Sequence, residues 1–201
     1  MASLTFSTLP IRIVRGVSER VRAALARRAA PPVVLAARQG GLTRLSHRAL
    51  MDLHERVVEA EHAERPGVLV VVGAGKGGST LVMADARSSA REVQVFGAAE
   101  PVAVAQALAD RGFSPETSRV TLCDGAPSPG GEPVAVAHVA AHDPAVLSAV
   151  LPVLLDRLGP GGVVVVEAYA VPACRAAIDA VCEGRPVRLV QKTAAQIVRE
   201  A

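Results

Sequence analysis

Apolar and polar positions follow two periods along this chain, and each change from one period to the other marks an element. From Ser46 the stretch SHRALMDLHERVVEAEHAE sets Leu50, Leu53, Val57 and Ala60 on one face, with charges opposite, until Pro66-Gly67. That pattern predicts an amphipathic helix. Residues 68–72 (VLVVV) are an unbroken apolar run, the mark of a strand buried on both faces, and they enter the glycine-rich turn GAGKGGS before helical composition resumes from Thr80 to Ala90. The unit then recurs. Strands are expected near 92–96, 119–123 and 134–139, helices over 101–111 and 144–158, then a GPGG turn, the strand VVVVE and a helix over 172–182. Segments 186–190 and 195–199 complete the chain as a terminal hairpin. Strands alternating with helices in this way predict an α/β fold built on a doubly wound, mostly parallel sheet covered on both faces.

The first third differs. Residues 11–30 (IRIVRGVSERVRAALARRAA) place Ile13, Val17, Val21 and Leu25 about one turn apart among arginines and a single acid, Glu19. This is a basic amphipathic helix that docks on the domain, on a partner protein or on a second copy in a homo-oligomer; an organelle-targeting or membrane-surface helix is the alternative. Pro31-Pro32 end it and Gly40-Gly41 break the next stretch, so residues 31–43 read as a linker. The expected organisation is a helical N-terminal extension with linker over 1–45 and one α/β domain over 46–201.

Composition narrows the class. Half of the 201 residues are apolar, yet Trp is absent, Tyr occurs once and Phe three times, so the core is built from Val, Leu and Ala. All but two of the 22 basic residues are Arg, without aromatic interleaving to stack bases, so no nucleic-acid partner is indicated. The net charge of +3 conceals an asymmetry: residues 1–66 carry 11 Arg against 6 acids. Cys123, Cys174 and Cys182 are odd in number and lack CxxC spacing, which indicates neither a disulfide framework nor a zinc site and suits a reducing cytoplasm. No apolar run reaches the roughly 18 residues of a transmembrane segment.

The glycine loop carries the candidate chemistry. Gly73, Gly75, Gly77 and Gly78 let the backbone approach a ligand closely, Lys76 adds a charge, and Ser79 can cap the next helix, so a nucleoside-bearing cofactor suits the site. A phosphate-binding P-loop is excluded because Ser79 stands where that motif needs Lys. The spacing GxGxxG of a dinucleotide loop is met by Gly73, Gly75 and Gly78, but the acid expected at the end of the second strand is Gly97, with Glu100 three residues on. A tight turn without ligand is the alternative. An NAD(P)-dependent reductase is also opposed by the lack of a Tyr-x-x-x-Lys pair. Asp124, closing the 119–123 strand, could bind the adenine end of a cofactor or cap a turn. His138 falls in or beside a strand and reads as a structural histidine.

VLVVVGAGKGGSTLVMA, with its core Lys76-Gly77-Gly78-Ser79, resembles the cofactor loop of the macrocin O-methyltransferase family. The resemblance continues through LSHRALMDLHERVVEAE, through RLGPGGVVVVEAYAVPACRAAIDAV and loosely into QKTAAQIVRE, in order over residues 46–199. It implies a class I methyltransferase fold, Rossmann-like, with S-adenosylmethionine as donor, a small-molecule acceptor such as a natural product or sugar hydroxyl, and a divalent cation. The expected cofactor-binding positions are Gly73, Gly75, Lys76, Gly77, Gly78 and Ser79 in the loop, Gly97 at the end of the second strand, and Asp124. Val71 and Gly97 stand where the family has acids. Its DxDxY and DDY metal segments fall on Ala140-Ala141-His142-Asp143-Pro144 and Glu167-Ala168-Tyr169, where only Glu167 keeps a carboxylate in register.

Three roles compete at those positions. Glu167 and His142, with Asp143, could gather at the strand ends and bind a softer ion such as Zn or Mn. Alternatively His142 is a general base oriented by Asp143 or Glu167. Asp143-Pro144 is also a good helix start, Asp as N-cap and Pro in the first turn. The sequence therefore predicts an S-adenosylmethionine-dependent O-methyltransferase with a degenerate metal site; a catalytically inactive scaffold or partner subunit of the same fold is the second reading, and the reductase the third.

Overall fold

The computed structural model describes residues 30–88, 90–114, 118–183, 187–190 and 194–199. The basic helix expected over 11–30 lies outside them but for Ala30. Two helices lead in, α1 (Pro32–Gln39) and α2 (His47–His62), followed by β1 (Val68–Val72), α3 (Gly78–Ala86), β2 (Val93–Phe96), α4 (Pro101–Ala109), β3 (Val120–Cys123), β4 (Val134–Val139), α5 (Pro144–Arg157), β5 (Leu158–Val166), α6 (Pro172–Val181), β6 (Val187–Val190) and β7 (Ala194–Val198).

The seven strands form one sheet in the order β3-β2-β1-β4-β5-β7-β6. The first five strands are parallel, and β7 pairs antiparallel with both β5 and β6, which is the expected terminal hairpin. Every residue of β1 and β4 is buried, as unbroken apolar runs require when helices cover both faces. On one face α1, α2 and α3 pack over Leu69, Val71, Val95 and Val136; on the other Leu147, Leu151, Leu154 and Ile178 pack over Val70, Ala137 and Val164. This is the class I methyltransferase, Rossmann-like architecture.

Local sequence accounts for most boundaries. Ser46 caps α2 by accepting the Ala49 N–H at 3.1 Å, and the helix buries Leu50, Leu53, Val57 and Ala60, the stripe its period predicts. Asp143 caps α5 in the same way, and Pro144, Pro101 and Pro172 open α5, α4 and α6 where a missing N–H costs nothing.

Two expectations are corrected. Residues 32–39 are a helix and not a linker: Pro32 occupies the first turn, and Val33, Val34 and Ala37 are buried in the same cluster as the sheet. The proline pair was a helix start as much as a helix end, and only packing on α3 decides between them. The GPGG stretch is not a turn between elements but part of β5, where the register against β4 jumps from Val134↔Leu158 to Val136↔Val163. The extra residues are absorbed as a bulge.

Candidate functional site

In a sheet wound this way the crevice opens where β1 and β4 lie side by side and their connections leave in opposite directions. Beyond the carboxyl ends of β1, β4 and β5 there is a cleft of about 830 Å³. Its floor is Gly73, Ala74, Gly75, Lys76 and Ser79 after β1, Ala140 and His142 after β4, and Glu167 and Ala168 after β5. Glu100, after β2, stands at one side. The roof is the segment from Gly41 to Ser46, between α1 and α2.

Backbone hydrogen bonds carry the strand ladder to the brink of the cleft. Gly73 donates to the Phe96 carbonyl at 2.9 Å, Ala140 to Val72 at 2.9 Å and Glu167 to Val139 at 3.0 Å. The four loop glycines then divide. Gly73, Gly75 and Gly77 have positive φ, 77°, 54° and 90°, but only a Cβ on Gly75 would meet nothing within 4 Å. A Cβ on Gly78 would instead lie 2.7 Å from the Thr43 Cβ and 2.9 Å from the Leu42 carbonyl oxygen, and one on Gly77 would approach Val104 at 3.1 Å. Gly78 also donates its N–H to Leu42 at 3.2 Å. Gly73 and Gly75 thus present backbone to the cleft, while Gly77 and Gly78 admit the neighbouring chain.

Of the other predicted residues, Lys76, Ser79, His142 and Glu167 line the cleft. Gly97, Asp124, Gly77, Gly78 and Asp143 are not among its lining residues. Gly97 stacks behind the loop, where its Cβ would lie 3.9 Å from the Gly73 nitrogen. Asp124 is exposed at the end of the edge strand β3. Asp143 is committed to its cap, its Oδ1 accepting the Ala145 N–H at 2.8 Å.

His142 is exposed, with Nδ1 at 3.1 Å from the Ala140 carbonyl. A proton on Nδ1 satisfies that carbonyl and leaves the Nε2 lone pair to accept another.

Glu167 is drawn elsewhere. Its Oε1 lies 2.8 Å from Nε2 of His138, which is 1 % exposed in the middle of β4 between Val71 and Val165. The ring is not turned to complete a hydrogen bond, and both its nitrogens lack one. His138 is therefore a buried residue of the sheet, as expected, but one whose polar edge meets the one carboxylate kept in register.

No group of three or more His, Cys, Asp or Glu side chains suited to a metal ion occurs among the described residues. The donors anticipated at the strand ends do not converge: Asp143 caps a helix and Glu167 faces His138. A hard divalent ion needs several oxygen ligands, and this donor set does not fit one. Tyr169 also serves a local purpose. Its hydroxyl donates to Asp179 at 2.7 Å, the Arg175 guanidinium lies 5.1 Å from its ring centre, and the bond to Asp179 pushes its pKa up.

The sequence reading missed the roof. Leu42 and Leu45 are apolar residues in and beside a stretch whose prolines and glycines read as a linker, and that was the signal available.

No family model matches the sequence, and no curated protein matches it. Solved structures share the fold. The O-methyltransferase of tomaymycin synthesis from Streptomyces achromogenes, in complex with S-adenosylmethionine, superposes with a TM-score of 0.61 at 16% identity over 85% of this chain and 91% of that one. A methyltransferase from Geobacter sulfurreducens gives 0.65 at 19% identity, covering 91% and 97%. The Podospora anserina methyltransferase bound to S-adenosylhomocysteine gives 0.65 at 18% identity, covering 98% and 100%. In these proteins the similarity is one of fold.

Proposed function

We propose that this chain is an S-adenosylmethionine-dependent O-methyltransferase that acts on the hydroxyl of a small molecule in the cleft beyond β1, β4 and β5. The observation that carries the reading is the cradle at Gly73-Ala74-Gly75, with left-handed backbone at both glycines and free space where a side chain on Gly75 would project. Solved structures of the same fold that hold S-adenosylmethionine or S-adenosylhomocysteine support it.

The residues present fit the cofactor. Gly73 and Gly75 allow close backbone approach, Ser79 and Lys76 offer a hydroxyl and a cation, and Glu100 stands after β2, where a carboxylate can accept from vicinal hydroxyls. Glu100 thereby takes the place of the acid absent at Gly97. When bound, S-adenosylmethionine supplies a sulfonium-activated methyl group. The roof from Leu42 to Ser46 and the floor at Ala168 exclude water and hold the acceptor in line. With Nδ1 held by the Ala140 carbonyl, Nε2 of His142 would take the proton that the acceptor hydroxyl gives up on methylation.

The second reading is a non-catalytic scaffold of the same fold, favoured by the capping of Asp143 and the pairing of Glu167 with His138. Donor affinity separates the two. Calorimetric titration with S-adenosylmethionine and S-adenosylhomocysteine should give micromolar dissociation constants, weakened about tenfold, or about 1.4 kcal/mol, in Glu100→Ala. No saturable heat up to millimolar donor would leave the scaffold.

A further inference from the structure

The opposite end of the sheet holds a second cavity, of about 580 Å³, at the entries to β1, β4 and β5. Its wall is apolar, with five prolines, among them Pro66, Pro133 and Pro152, together with Val153 and Leu158. Two arginines, Arg157 and Arg199, are among its lining residues, with one acid, Asp156.

Arg157 is the last residue of α5 and is only 8% exposed. Its Nε donates to the Glu132 carbonyl at 2.9 Å and its Nη2 reaches Oε1 of Gln94 at 3.4 Å. These are neutral oxygens, and no carboxylate of a described residue lies within ion-pair distance of it. Burial lowers its pKa from the ordinary value, and the charge of Glu132 only partly opposes this. The loop before β4 is shaped around the group, since a Cβ on Gly131 would lie 2.7 Å from the Arg157 Cζ. Arg199 donates through Nη1 to the Leu158 carbonyl, again a neutral acceptor. A guanidinium carries five N–H donors, so each group keeps donors for a ligand.

We infer that the cavity between Arg157 and Arg199 is a binding site for a small organic carboxylate, whose charged end bridges the two guanidinium groups and whose apolar body lies against the prolines. A buried cation without a carboxylate is costly, and an anion that supplies one recovers that cost. The planar carboxylate matches the guanidinium fork in two parallel hydrogen bonds. The volume lies in the range of small-molecule sites. This site is independent of the cleft at the other end of the sheet and of what binds there.

Nitrogen-15-edited NMR of the arginine Nε–H signals tests it, with benzoate as probe, benzamide as its uncharged counterpart and inorganic phosphate as the alternative anion. Benzoate should shift the Arg157 and Arg199 signals saturably and benzamide should shift neither. Arg199→Gln and Val153→Glu, each shown folded by its amide spectrum, should raise the benzoate dissociation constant about tenfold. The assignment is overturned if benzoate up to about 10 mM leaves both signals unmoved, if benzamide acts equally, or if both variants bind as the parent does. Tighter binding of phosphate than of benzoate would overturn the organic carboxylate.

Discussion

The two ends of β1 are both marked by glycine, and they do opposite things. At the amino end Gly67 has φ 109°, and a Cβ there would fall 2.2 Å from the Pro133 carbonyl oxygen, a collision with backbone that cannot move aside. The turn is also pinned by Arg91, which donates to Glu61 and to the carbonyls of Gly67 and Arg65. At the carboxyl end Gly75 has φ 54° and open space. A glycine thus signals a ligand only when nothing of the protein already fills the place of its side chain; where something does, it signals packing.

Gly67→Ala should produce the largest effect on stability, about 4 kcal/mol from steric overlap and backbone strain together, read as a fall of roughly 10 °C in melting temperature. A melting temperature within a few degrees of the parent would contradict the tight contact with Pro133. Gly75→Ala carries only the left-handed penalty of about 1 kcal/mol, yet it projects a methyl group into the cleft. Calorimetry should therefore show donor affinity falling about tenfold with a small loss of stability, the reverse of Gly67→Ala, for which the surviving folded protein binds the donor normally. If Gly75→Ala binds donor as well as the parent, the cradle is not the cofactor site.

The smallest effect is electrostatic and belongs to the amino end. Burial alone would raise the pKa of Glu61, but hydrogen bonds from Ser88 and Arg91 and the charge of Arg91 outweigh it, so the pKa lies below its ordinary 4.5. A carboxyl whose pKa is lowered on folding adds stability that is complete above the unfolded value and is lost as pH falls through the folded one. In urea unfolding, Glu61→Gln should trail the parent most near neutral pH, and the gap should close in acid. A gap that stays constant with pH would show that the pair with Arg91 contributes no charge-dependent stability.

Much of this was legible from single segments. The period of α2, the unbroken apolar run of β1 and the Asp143-Pro144 helix start depend on near neighbours in the chain, and each is found where its pattern places it. Asp143 shows why the site was less legible: its local role as a cap was as plain as its imagined role in chemistry, and only one of them is seen. Leu42 and Leu45 were visible as apolar residues between two glycines and the α2 cap, but not as a roof, because what they cover comes from the other side of β1. His138 was legible as a strand residue, whereas the carboxylate beside it, 29 positions later (167 − 138), was not.

The sequence by itself determined the order of strands and helices, because burial on both faces or on one stripe leaves a period that each segment carries alone. It also determined that a glycine-rich turn follows the first strand. Tertiary structure alone decided which of those glycines face open space, that residues 41–46 lie across the cleft from them, that Glu100 joins Glu167 in lining it, and that Glu167 meets His138. These depend on which strand ends the sheet order brings side by side, and distant segments that meet there leave no period in the chain.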